Sequence, residues 1–361
     1  MSATETNVAA RRPGVVKKLF FMLLPAAVIF LLAGAVAEAY LRVFNPQLTG
    51  PMQGRFDRDL GILPIPNNVT WRRTPYYLYA AKHDAAGRRV VVNAPASARE
   101  TALFLGDSFT YGSGVGDAET FSSQVQGVFN ARGRVVRVVN AGNSGIGTDF
   151  SLRYYQLRGA QEKPAAVALF FFENDFRDNA VGRFFDVAAD GTLRPKVLRE
   201  GLVRRVVLAT PGHDFLMSHL HVVAFFRGLP VMLLSRQVPV KYDPAYEGLA
   251  ETYLGALAAE VERSGSSFRV FYIPSMEDVA AYRGGQKESA EEKALRAICA
   301  KRSLPLTSLT ELVSTQPKRV DELYFGEGHW RPEVHALAAP VIAAAVEGDL
   351  EQRTRAAAGP R

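Results

Sequence analysis

Apolar residues fall along this chain in two patterns. One is a single uncharged run, LFFMLLPAAVIFLLAGAVA from Leu19 to Ala37, about the length that crosses a hydrocarbon core. The other begins at Thr101. Short apolar runs, TALFL (101–105), VVRVV (135–139), AAVALFFF (165–172), FRVFYI (268–273) and PLTSL (305–309), alternate with helix-like stretches at about 118–131, 149–160, 247–263, 287–301 and 332–347. The first four runs are almost continuously apolar, as strands covered on both faces are. Strands and helices in alternation predict a doubly wound α/β domain around a parallel sheet.

These patterns divide the chain into a polar cytoplasmic tail (1–18), a transmembrane signal-anchor (19–40), an irregular membrane-proximal segment rich in Pro, Arg and Tyr with a few short strands (41–99), the α/β domain (100–348) and a polar, disordered tail (349–361). The gap between the third and fourth strands is too long for one crossover helix, which predicts a helical insertion at about 182–246. Its apolar part, 201–234, fits extra core, a lid over a site or a surface lying against a bilayer. Its Arg, His and Asp residues and the Pro211–Gly212 pair argue against a second span.

Charge gives the orientation. Arg11, Arg12, Lys17 and Lys18 precede the apolar run, which keeps that end cytoplasmic and places everything after Tyr40 outside, in a single-pass inner-membrane arrangement with a periplasmic domain. The small residues at Ala35–Ala39 also fit a signal-peptide cleavage site, and either reading exports the domain. Residues 1–18 carry four basic and one acidic side chain, hence +3 of the net +7. The remaining +4, without a basic run interleaved with aromatics, argues against nucleic acid. The single cysteine, Cys299, rules out an internal disulfide. His213, His219 and His221 lack a third convergent ligand, so neither metal nor cofactor is expected.

Ligands of open parallel sheets bind at the carboxyl ends of the strands. The first strand delivers Gly106-Asp107-Ser108, the second Asn140 to Gly145, the third Glu173-Asn174-Asp175, and Gly326-Glu327-Gly328-His329-Trp330 precedes the last helix. A serine hydroxyl becomes a nucleophile when a base takes its proton; a histidine can be that base and a carboxylate can orient it. Backbone N–H groups beside glycines and an asparagine amide can bind an oxyanion, and a helix starting at the serine would favour negative charge. Asp107 is expected to brace the turn, Asp175, Asp178 and Asn179 to brace their loop, and His335 to be structural. Trp330 either lines the pocket or packs beneath the loop.

The blocks GDSFTYG (106–112), NAGNSGIGT (140–148), FFEND (171–175) and EGHW (327–330) together resemble the SGNH hydrolases of the GDSL esterase/lipase superfamily, over about residues 101–346. EGHW is also similar to the corresponding block of alginate O-acetyltransferase-like SGNH proteins. The resemblance implies a flavodoxin-like sheet, with Ser108 as nucleophile, His329 as base and Glu327 as orienting acid. It assigns the oxyanion hole to the backbone N–H groups of Ser108 and Gly145 and the Asn174 side chain. Glu327 departs from the family pattern, which usually has aspartate there, and Glu173 stands where many members have glycine. The resulting expectation is a membrane-anchored serine esterase acting on an acylated envelope saccharide or lipid. The alternatives are an O-acyltransferase working with polysaccharide export or modification machinery, or a non-catalytic scaffold.

Overall fold

A computed structural model of the chain describes residues 15–47, 49, 54–181, 183–188, 190–227 and 242–358. Backbone contacts divide it into two units, one of residues 1–51 and 211–237, the other of 52–210 and 238–361.

The second unit is built on five parallel strands: β1 (Glu100–Gly106), β2 (Val136–Asn140), β3 (Ala166–Phe172), β4 (Ser267–Ile273) and β5 (Leu306–Ser308), in the order β2-β1-β3-β4-β5. Alternate residues serve opposite faces, as the two-residue strand period requires. Leu103, Leu105, Val167, Leu169, Val270 and Tyr272 pack toward helices Thr148–Tyr154, Glu247–Arg263 and Ala290–Lys301. Phe104, Ala168, Phe170, Phe271 and Ile273 pack toward Phe121–Ala131 and Pro332–Ala358. Both faces are covered, which is why these strands read as unbroken apolar runs. The doubly wound α/β fold expected from the pattern is the fold observed, and its strand order is the flavodoxin-like one.

Two stretches differ from expectation. The last helix runs Pro332–Ala358, so residues 349–358 extend it where a disordered tail was expected. Glu, Gln, Arg and Ala are strong helix formers, Leu350 is buried, Asp349 holds Arg269 through two bonds of 2.7 Å, and Arg353 donates to the Gly265 carbonyl at 2.8 Å. The insertion is helical only in part: it opens with a hairpin, Phe185–Val187 against Leu193–Pro195, before helices Leu202–Ala209 and His213–His219. Residues 228–241 of it, like the tail carrying Arg11 and Arg12, lie outside the described residues. Residues 54–82 form two antiparallel hairpins, Gly54–Asp57 with Gly61–Pro64 and Val69–Arg73 with Leu78–Lys82.

In the first unit, helix α1 spans Val15–Phe44, and its stretch Phe21–Phe44 is long and apolar enough to cross a membrane.

Candidate active site

β1 ends at Gly106 and the chain passes directly into one helical turn, Ser108–Tyr111. Gly106 has φ +148°, and a Cβ there would stand 2.3 Å from Thr110 Oγ1 and 2.6 Å from the Phe170 carbonyl, so the turn requires glycine. Asp107 caps the turn, accepting the Phe109 N–H at 2.9 Å, as an N-cap aspartate does. The second block supports it from behind: Asn140 Nδ2 donates to the Thr110 carbonyl at 2.6 Å and the Asn143 N–H to the Gly106 carbonyl at 3.1 Å. A Cβ on Gly142 would lie 2.3 Å from the Tyr111 nitrogen. The helix following the serine has only four residues, too short for a large macrodipole, so any oxyanion stabilisation falls to discrete donors.

Ser108 Oγ lies 2.8 Å from His329 Nε2, and His329 Nδ1 lies 2.9 Å from Glu327 Oε1. An ionised carboxylate only accepts, so Nδ1 carries the ring proton and Nε2 offers its lone pair to the serine hydroxyl. The extra methylene of Glu327 therefore still allows it to reach the imidazole. Acid and base sit on one tight turn, closed by Phe325 N–H to the His329 carbonyl at 2.7 Å and Gly328 N–H to the Phe325 carbonyl at 2.9 Å.

A fourth side chain joins this array, one that the sequence did not disclose. The Tyr77 hydroxyl faces the Glu327 carboxylate and feels its charge, its ring meets Phe325 edge-on at 5.1 Å, and the Tyr76 ring covers Gly326. Burial, followed by the Glu327 charge, raises the Tyr77 hydroxyl far above the usual tyrosine range, so it remains a donor. Burial pushes the Glu327 carboxyl up, but the hydrogen bond from His329, followed by a backbone hydrogen bond and the imidazole's charge, brings it to a net value below the usual range. Tyr77→Phe, which keeps the ring contact with Phe325 and removes only the hydroxyl beside Glu327, should lower kcat/KM by about threefold to tenfold. An unchanged kcat/KM for ester turnover would remove Tyr77 from the array.

The serine and histidine open onto a cavity of about 430 Å³ whose lining includes Asn174, Glu173, Arg177 and Ser275. Asn174 Nδ2 donates to Asp178 at 3.3 Å and keeps a second N–H; Asp178 is held in turn by Arg177 at 2.8 Å. Burial, chiefly, pushes the Glu173 carboxyl up to about 7, with the neighbouring Asp278 adding to it. Beneath the serine, burial raises Asp107 to about 6, and burial with the Asp107 charge raises Asp175 well above the carboxylate range. Asp175 accepts the Phe172 N–H at 3.0 Å and Asn179 accepts the Asp149 N–H at 3.0 Å, so both brace their loop. Gly145 stands apart from the cavity lining among the described residues. It has φ +72°, and its carbonyl accepts from Arg183 at 2.9 Å.

Trp330 is fully buried, edge-on to Phe109 at 5.6 Å, so it packs beneath the loop. His335 is structural: it accepts the Phe121 N–H at 3.2 Å, and burial lowers it to about 3. His213 contacts Asp214 at 3.2 Å, His219 the Phe215 carbonyl at 2.8 Å, and His221 accepts the Gln47 N–H at 2.8 Å. Among the described residues no cluster of His, Cys, Asp and Glu could hold a metal. Cys299 is buried. The segment before β1 also supplies Arg89, whose buried guanidinium donates to the carbonyls of Tyr111, Gly112 and Val115 and pairs with Asp117 at 2.9 Å.

No family model and no curated protein sequence matches the chain. Solved structures that resemble it include a lipase/acylhydrolase from Enterococcus faecalis (16% identity, TM-score 0.41, covering 69% of this chain and 96% of that one). A hydrolase from the metagenome of Lake Arreo, Spain, gives 16% identity and a TM-score of 0.43 over 70% of this chain and 97% of that one. An acetylxylan esterase from Geobacillus stearothermophilus, as a catalytic mutant, gives 14% and 0.41 over 69% and 94%.

Proposed function

We propose that this chain is an extracytoplasmic serine esterase, anchored by α1, that removes a small acyl group from a hydroxyl-rich, saccharide-type alcohol. The single observation that carries the proposal is the hydrogen-bonded series Glu327–His329–Ser108 at the mouth of a cavity. His329 Nε2 takes the Ser108 proton as Oγ attacks the ester carbonyl, and then gives it to the departing alcohol. Water, deprotonated by the same nitrogen, releases the acid from the acyl-enzyme. The oxyanion is bound by the Ser108 N–H and the free N–H of Asn174, with the Gly145 N–H the third donor that the family resemblance assigns. Carboxylates and a guanidinium beside the serine favour an alcohol rich in hydroxyls over a lipid chain, because burying them against hydrocarbon would leave them unpaired.

An active-site-directed phosphonate should modify Ser108 in the wild type and fail to do so in His329→Ala. Absence of labelling in the wild type would sink the reading. Acetylated oligosaccharides should be hydrolysed in preference to long-chain esters. Saturable, Ser108-dependent transfer of most acyl groups onto added sugar would instead identify an O-acyltransferase. Asn174→Ala should lower kcat by about a hundredfold or more, the usual cost of losing one oxyanion donor. A wild-type kcat in this variant would place the oxyanion hole elsewhere.

A further inference from the structure

The first unit contains a contact that the anchor alone does not require. Glu38 is the first charged residue after Lys18, and its carboxylate accepts the backbone N–H groups of His221 at 3.0 Å and Val222 at 2.8 Å. These begin the helical residues 221–227, and amides at a helix start lack partners within the helix. Arg42 completes a clamp, donating to Glu38 at 2.7 Å and to the His219 carbonyl at 2.7 Å. From that clamp, Val222, Phe225 and Phe226 run beside α1 and enclose with it a cleft of about 860 Å³ that reaches down to Leu32 and Ile29. Ile29 lies nine residues before Glu38, about 14 Å along the helix axis, well inside the uncharged run. Phe226 and Phe215 are 61% and 65% exposed.

We infer that residues 221–227 enter the leaflet on the domain side beside α1 and that phospholipid acyl chains fill this cleft. The inference rests on the anchor reading given above: if α1 spans a bilayer, a cleft walled by Ile29 and Leu32 lies in hydrocarbon. Backbone at that depth must satisfy its own polar groups, which helix formation and the Glu38 carboxylate accomplish. Arg227 sets the limit of the descent, because its guanidinium has to reach the headgroups. The segment is therefore interfacial, with its Phe side chains reaching into the hydrocarbon while Arg227 extends back to the headgroups.

The test uses the full chain in vesicles of phosphatidylethanolamine and phosphatidylglycerol. Single cysteines at Phe226→Cys and, separately, Leu32→Cys are labelled with bimane; the native Cys299 is buried and stays unlabelled. Loss of Phe226-site fluorescence to lipids carrying a nitroxide near the headgroup end of the chain, with little loss to aqueous iodide, is the expected result. Quenching by iodide and not by lipid overturns the inference, as does protection from both quenchers, which would mean that protein, such as a second copy, covers the cleft. The Leu32 site separates the two readings. If it is quenched by mid-chain nitroxide while the Phe226 site is not, only the present inference fails; if it is not quenched by lipid, the anchor reading fails with it.

Discussion

Ser108→Ala and His329→Ala should each reduce ester turnover by about four to six orders of magnitude, with the double variant little worse than either. The hydroxyl and imidazole share one proton across 2.8 Å, so removing either leaves the other without a function, and the residual rate comes from binding and oxyanion donors. Folding should be preserved in Ser108→Ala, because the turn is held by Asp107, Asn140 and the glycines and not by the serine hydroxyl. The measurement is kcat/KM on an aryl acetate for both single variants and the double. Modest losses that multiply in the double variant would show that the two residues act independently, which the hydrogen-bonded series does not allow.

The largest stability effect is expected away from the triad. Arg89→Met should destabilise the fold by about 3–5 kcal/mol, the range for breaking a buried ion pair by removing one partner. The guanidinium is fully buried, satisfies three carbonyls at 2.7–3.1 Å and pairs with Asp117. Its loss leaves four acceptors without their charged donor. Arg89→Lys should recover little, because one ammonium cannot reproduce the planar set of donors. Those carbonyls belong to the segment that follows the serine turn, so activity should fall together with the urea midpoint. A loss below about 1 kcal/mol would place the guanidinium in the class of weak surface pairs.

The legible parts of this chain were those with a local signature. β1 to β4 showed as apolar runs because both of their faces are covered, the serine because it follows a strand end and the histidine because it precedes the last helix. Tyr77 and Arg89 had no such signature. Tyr77 meets Glu327 across 250 positions, and Arg89 acts on a loop more than twenty residues away, so only the tertiary fold unites them. The continuation of the last helix was missed for a related reason: its polar stretch is fixed by distant partners, Arg269 and the Gly265 carbonyl. Trp330 was ambiguous because an aromatic beside a histidine satisfies core and pocket patterns equally. The sequence showed where chemistry could occur, and the structure shows what holds it in place.

The turn that carries Glu327 and His329 has a consequence for how the protein would fail. It is bolted at one end by fully buried Trp330 and at the other by Tyr324, whose hydroxyl donates to the Pro274 carbonyl at 2.9 Å, and backbone bonds close it between. Releasing the backbone of this turn would therefore mean extracting an indole from the core. That places the turn among the segments that open only with global unfolding. On heating, catalytic inactivation and loss of tertiary structure should follow a single curve, with no inactive but folded form accumulating before the transition.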